Sequence, residues 1–185
     1  MGLARPSTTR LSPHLLYLIT DGMAVERIAS WLLRGIDFVQ IRELGLEARA
    51  LAEFTRQVIA LQNPHGAKIL VNDRADVALA CRADGVHLRD GSVLPVAFAG
   101  LGLTISVACH SADSVRNIRG ADLILLAPIF APRSKPGIPL GLGELRNATT
   151  LTRIPVLALG GITESNALLC VEAGAAGVAG ISLFR

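Results

Sequence analysis

Short, nearly continuous apolar runs rich in Val, Ile and Leu recur along the chain at residues 15–20, 38–42, 68–72, 85–88, 104–108, 122–127, 156–159 and 177–182. Their lack of strict alternation predicts parallel strands covered on one face by helices and packed on the other into a shared interior. Between them lie segments with helical periodicity, at 24–34, 47–62, 75–81, 93–99, 112–118, 142–151 and 165–173. Eight strands with a helix between each successive pair predict an α/β protein, a small (β/α)8 TIM barrel. An open doubly wound sheet is the alternative.

Helix-to-strand passages repeat one theme, seen in Leu33-Arg-Gly-Ile-Asp-Phe-Val, Arg82-Ala-Asp-Gly-Val-His, Arg119-Gly-Ala-Asp-Leu-Ile and Ala173-Gly-Ala-Ala-Gly-Val. A glycine or small residue ends each helix and an apolar strand follows within a few positions. Asp37, Asp84 and Asp122 are therefore expected to be structural turn residues at the rim opposite the strand C-termini. The eighth run ends three residues before Arg185, so the final helix is missing from the pattern. The expected cover for that part of the wall is residues 1–13, read as an N-terminal extension to a single domain of residues 1–185, or a second copy in a homo-oligomer.

Composition narrows the function classes. The chain has 185 residues, 51% apolar and 18% charged, enough for one domain with a real core and too apolar for disorder. Aromatic residues make up only 4%, and the basic residues behind the net charge of +3 are scattered. Both facts argue against nucleic-acid binding, which needs stacking rings or a clustered phosphate footprint. Cys81, Cys109 and Cys170 are widely spaced and form no CxxC pair, as in a reduced, cytoplasmic protein. The longest uncharged stretch, 91–112, is interrupted by Pro95, Gly100, Gly102 and His110, and reads as a helix, a turn and a strand, not as a membrane span.

In such a barrel the chemistry gathers where strands end. Gln40 and Arg42, two apart on one strand face, are expected to point into the mouth. An inward arginine needs an anion: Glu43 or Asp73 as an ion pair, or a ligand phosphate or carboxylate. Asn72 and Asp73 suit a polar ligand or a cation, and Asp73 alternatively caps the helix near Ala75. His110, ending the fifth run, is the expected acid–base residue, with His87 a weaker candidate of the same kind. Gly160-Gly161 ahead of a helix capped by Thr163, together with Gly180, predicts a phosphate cup built by the last two loops. Lys135 lies in a long basic loop that can fold over the mouth.

Val39-Gln-Ile-Arg-Glu, Leu70-Val-Asn-Asp-Arg-Ala-Asp-Val-Ala-Leu-Ala, Ala83-Asp-Gly-Val-His-Leu, Ala127-Pro-Ile-Phe with Ser134-Lys-Pro-Gly, and Ile154-Pro-Val-Leu-Ala-Leu-Gly-Gly-Ile-Thr, in that order, resemble the thiamine-phosphate synthase and thiazole tautomerase family. The resemblance implies a (β/α)8 barrel in vitamin B1 biosynthesis that binds a small-molecule thiazole phosphate, with no nucleic-acid or membrane partner. It implies that Gly160, Gly161, Gly180, Ile181 and Ser182 hold the phosphate, and that Gln40, Arg42, Asn72 and Lys135 bind substrate. In a synthase it further implies that Asp73 binds Mg2+ while diphosphate leaves a hydroxymethylpyrimidine. A tautomerase needs no metal, and His110 would be its base.

The chain departs from the synthase pattern. The lysine expected two residues after Arg42 is Leu44, the loop threonine before Arg133 is Pro132, and the serine two residues before His110 is Ala108. The second metal aspartate falls at Ser92, with Asp90 as a displaced substitute. Losing a cation and a metal carboxylate costs a diphosphate-releasing enzyme more than a proton-transfer enzyme. The resemblance therefore leads first to a thiazole tautomerase, then to a thiamine-phosphate synthase, and last to a non-catalytic thiazole-phosphate binder.

Overall fold

A computed structural model of the chain describes residues 14–131 and 138–185. Eight parallel strands close into a barrel in sequence order: β1 (Leu15–Ile19), β2 (Phe38–Ile41), β3 (Lys68–Asn72), β4 (Gly85–Leu88), β5 (Thr104–Cys109), β6 (Leu123–Leu126), β7 (Val156–Ala158) and β8 (Gly177–Gly180). Closure runs through β8 on β1, with Leu15 opposite Gly177 and Leu18 opposite Gly180. The open sheet is thereby excluded. The outer layer holds α1 (Val25–Leu33), α2 (Ala48–Ile59), α3 (Ala75–Cys81), α4 (Ala112–Arg116), α5 (Gly141–Thr150) and α6 (Glu164–Glu172).

Each strand sends alternate side chains to opposite faces, so the wall has two cores. Outward-facing Leu18, Val39, Ile41, Ile69 and Val71 pack beneath α1 and α2 with Ile28, Leu32, Leu51 and Val58. Inward-facing residues divide the interior. Tyr17, Ile19, Leu123, Leu125, Leu157 and Ala179 form an aliphatic half. The interior of β2–β5 is polar instead, holding Gln40, His87, Thr104 and Ser106, all buried. One side of the barrel thus seals the fold and the other presents hydrogen-bonding groups beneath the mouth.

The three rim aspartates do one job. Asp37, Asp84 and Asp122 each accept, on a carboxylate oxygen, the backbone N–H of a residue on the preceding strand: Leu16 (2.8 Å), Ile69 (2.8 Å) and Ile105 (2.7 Å). Each locks an odd-numbered strand to its successor at the end opposite the site.

One expectation about the wall needs correction. The segment 93–99 is not an α-helix: only Pro95–Phe98 forms a turn of 3-10 helix. Gly100 and Gly102 adopt positive φ, and Pro95 has no N–H to offer a longer helix. After β8 the chain forms a 3-10 turn, Ser182–Phe184. It buries Phe184 edge-on against Trp31 of α1, at a ring separation of 5.1 Å, and the Trp31 indole N–H donates to the Phe184 carbonyl (2.8 Å). Among the described residues this turn covers the wall beside α1, and residues 1–13 lie outside them. All three cysteines are free and buried, and no described helix is long and apolar enough to cross a membrane.

Candidate active site

The strand ends bring together most of the residues singled out from sequence. Gln40 stands on the polar side of the interior, 1% exposed, and its amide nitrogen donates to Asn72 Oδ1 (2.8 Å). Its own oxygen, Oε1, is buried with no partner among the described residues. A buried acceptor left unmet costs roughly 1–3 kcal/mol, and a ligand N–H arriving at the mouth would relieve that cost.

Below this pair, the Tyr17 hydroxyl donates to Ser106 Oγ (3.4 Å), and the same oxygen shares a second hydrogen bond with His87 Nδ1 (2.9 Å). Burial pulls the His87 pKa down to about 4, with Asp73 acting to raise it and Arg42 to lower it. His87 is therefore a neutral, hydrogen-bonded member of the interior.

His110 differs in every respect. It is exposed at the end of β5, and its Nδ1 lies 2.7 Å from the Ala127 carbonyl. A carbonyl only accepts, so Nδ1 carries the proton and the neutral ring keeps its free lone pair on Nε2.

Arg42 pairs with neither Glu43 nor Asp73. Its guanidinium meets Asp21 at the end of β1 (3.3 Å), and its backbone N–H donates to Thr20 Oγ1 (3.0 Å). Glu43 turns instead to the Gly22 N–H (2.8 Å). Both corrections arise because the loop after β1 lies against the end of β2, a neighbour relation that linear spacing does not reveal. Arg185 joins the same aspartate, donating to the Asp21 carbonyl (2.9 Å) and approaching its carboxylate (3.5 Å).

Asp73 does not cap α3, whose N-cap residue is Arg74 and has no side-chain cap. With φ at +57°, Asp73 turns its carboxylate toward the loop after β4. There it forms an ion pair with the Arg89 guanidinium and accepts from Ser92 Oγ (3.0 Å) and the Arg89 N–H (3.3 Å). Ser92, the position matching the second metal aspartate, thus reaches Asp73. Asp90 makes no bond to Asp73; it lies close enough to Cys109 to act with burial in raising that thiol's pKa.

Mg2+ in such sites takes charged oxygens in near-octahedral array, typically one or two carboxylates plus substrate phosphates. Asp73 is held by Arg89 and Ser92, and Ser92 brings a neutral hydroxyl to the position where the second metal aspartate is expected. The residues present do not fit a metal held on carboxylates.

On the opposite side of the mouth the last two loops enclose a cavity of about 680 Å3 lined by Gly160, Gly161, Thr163, Gly180, Ser182 and Arg185, with Ile181 also on its wall. Gly160 and Gly161 have φ of +92° and +64°. A Cβ on Gly161 would lie 2.7 Å from Phe130 Cβ and 2.8 Å from the Ala131 carbonyl, so both conformation and space demand glycine. Asn166 holds the turn: its Oδ1 accepts from the Thr163 N–H (2.8 Å) and its Nδ2 donates to the Gly161 carbonyl (3.0 Å). The result is an uncrowded backbone cup at the start of α6, of the kind that receives oxyanions.

A family model described as thiamine monophosphate synthase matches residues 16–184, essentially the whole barrel. The chain belongs to the thiamine monophosphate synthase family. A relative from Geobacter sulfurreducens is 42% identical over 183 residues, covering 90% of this chain and 84% of its own. The thiamine-phosphate synthase of Moorella thermoacetica is 38% identical over 165 residues, covering 85% and 79%. Among solved structures, thiamine phosphate pyrophosphorylase from Pyrococcus furiosus superposes with a TM-score of 0.81 at 31% identity, covering 91% of this chain and 85% of that one. Membership places the chain among the enzymes of thiamine biosynthesis.

The candidate residues Gln40, Arg42, Asn72 and Asp73 stand at the ends of β2 and β3 and His110 follows β5, while Gly160, Gly161, Gly180, Ile181 and Ser182 line the cavity of the last two loops. Lys135 lies outside the described residues. Sequence reasoning places Asp21 and Arg89 at strand ends but gives neither a role, and it does not single out Arg185. Arg89 had a signal, since a lone basic residue follows a buried strand at His87-Leu88.

Proposed function

We propose that the chain is a thiamine-phosphate synthase, joining hydroxymethylpyrimidine diphosphate to thiazole phosphate with release of diphosphate. The observation that carries this reading is the unmet Oε1 of Gln40 beside Asn72. It asks for an N–H donor from the ligand. An aminopyrimidine has an exocyclic amine, whereas a carboxythiazole phosphate offers no amine. The named Moorella and Pyrococcus relatives support the same choice over the tautomerase.

In this reading the Gly160–Gly161 and Gly180 cup holds the thiazole phosphate, and Gln40 and Asn72 orient the pyrimidine. The bond between the pyrimidine methylene carbon and the diphosphate oxygen breaks, and its electron pair leaves with the diphosphate. The thiazole nitrogen lone pair then forms the new C–N bond to the resulting carbocation. No proton has to move, so the protein's task is to orient two ligands and neutralise the departing charge. Arg42 is one such cation, held toward the mouth by Asp21. Because the residues around Asp73 do not fit Mg2+, no step is assigned to a metal. Buried, reduced cysteines accord with a cytoplasmic enzyme acting on small molecules.

One observation favours a second reading, thiazole tautomerisation. The Ala127 carbonyl fixes the His110 tautomer with Nε2 free, as a base removing a ring proton requires. A single assay separates the two: carboxythiazole phosphate is supplied with and without the pyrimidine diphosphate and Mg2+, and isomerised thiazole and thiamine phosphate are followed. Thiamine phosphate is the expected product. Isomerised thiazole alone would replace the synthase with the tautomerase, and retained binding with no product would leave a thiazole-phosphate binder.

A further inference from the structure

The cation beside Asp73 belongs to the chain itself. The Arg89 guanidinium forms an ion pair with Asp73, and no other side-chain bond of Arg89 occurs among the described residues. The Asp73 side chain is 14% exposed and that of Arg89 74%, so a largely buried carboxylate holds an arginine that is largely open to water. Ser92 and the Arg89 backbone N–H complete the anchor by holding Asp73 Oδ1. Asn72, bonded to Gln40, immediately precedes Asp73 in the chain, so the ion pair begins one residue from the groups assigned to the pyrimidine.

We infer that Arg89 binds the diphosphate of the substrate in this protein, bridging Asp73 and a phosphate oxygen where a carboxylate-held divalent ion would otherwise stand. A metal in that place contributes positive charge shared between a carboxylate and a phosphate. A guanidinium does both through fixed, parallel donors, and it remains charged at any working pH. The engaged oxygens of Asp73 and the hydroxyl at Ser92 then form a complete arrangement, with no ligand missing from it. Diphosphate binding in this protein accordingly requires Arg89 and not Mg2+. The inference rests on the synthase reading for the identity of the ligand, but binding of the anion is measured apart from turnover.

The test titrates inorganic pyrophosphate into the full chain by calorimetry, once in EDTA and once with millimolar Mg2+, with concentrations corrected to free anion. Wild type is expected to bind in EDTA within about threefold of its affinity with Mg2+. R89A is expected to lose about tenfold or more in EDTA, and R89K, which keeps charge without the planar fork, to fall between. R89A/S92D restores a second carboxylate and is expected to bind about tenfold more tightly with Mg2+ than without. Unchanged melting temperatures for R89A and R89K establish that the fold is intact, and R89K serves where R89A is unstable. Wild-type binding that depends tenfold or more on Mg2+, wild-type affinity in R89A, or no pyrophosphate binding in either condition overturns the inference. Thiamine phosphate formation is scored separately. Its absence with Arg89-dependent pyrophosphate binding removes the synthase and keeps the anion site; its presence with Mg2+-dependent binding does the reverse.

Discussion

Replacing Gln40 by methionine separates the ligand-reading role of its amide from any role in stability. In the free protein Gln40 Oε1 is buried and unmet, while the amide nitrogen bonds Asn72. Methionine keeps the length of the side chain and removes the unmet acceptor. It also frees Asn72 Oδ1, which is only half-buried and within reach of water. The two effects oppose one another, so folding stability is expected to stay within about 1 kcal/mol of wild type. Binding has no such compensation. The aminopyrimidine N–H would lose its acceptor on entering the mouth, at a cost of roughly 1–3 kcal/mol, or about 5- to 150-fold in affinity. Calorimetry with hydroxymethylpyrimidine monophosphate, which cannot react, measures the affinity, and urea denaturation measures the stability. Affinity within twofold of wild type in a folded Gln40→Met protein would refute the assignment of Oε1 to the pyrimidine.

Three other outcomes follow from the geometry. His87 is held neutral with its pKa near 4, below the ordinary 6.5, so the folded state binds fewer protons than the unfolded chain in between. Stability is then complete above about pH 6.5 and falls by roughly 3 kcal/mol as pH drops toward 4, and His87→Gln should flatten that part of a urea-denaturation profile; parallel profiles would contradict the burial argument. Gly161→Ala forces a side chain into φ +64° against Phe130 and Ala131, and is expected to lower stability by about 1–2 kcal/mol and thiazole-phosphate affinity by about tenfold or more, as seen by thermal melting and calorimetry. Intact affinity would remove the glycine pair from the cup. His110→Ala should leave thiazole-phosphate affinity within about threefold of wild type while any isomerisation of carboxythiazole phosphate falls by roughly 100-fold or more, and unchanged isomerisation would take Nε2 out of that chemistry.

Eight strands were legible because burial on both faces leaves nearly continuous apolar runs, and β3, β4 and α3 begin and end where the pattern placed them. The segment at 93–99 misled because Val93, Leu94 and Val96 have helical spacing yet are all exposed, with Pro95 and the glycines preventing a helix that would bury them. Positions at the mouth were legible through strand parity: Gln40 and Arg42 share a face, and Gly160 and Gly161 precede a helix. Pairings were not. Whether Arg42 meets Asp21, Glu43 or Asp73 depends on how loops lean across the mouth, and whether Asp73 faces α3 or Arg89 depends on one left-handed residue. Tertiary geometry thus turned a site read as an incomplete metal centre into a paired aspartate and arginine.

The most direct test of the account incubates the wild-type chain with hydroxymethylpyrimidine diphosphate and thiazole phosphate and follows thiamine phosphate and diphosphate together. The account predicts that they accumulate in equal amounts. Failure to form thiamine phosphate, in Mg2+ and in EDTA alike, from a protein that isomerises carboxythiazole phosphate would contradict it.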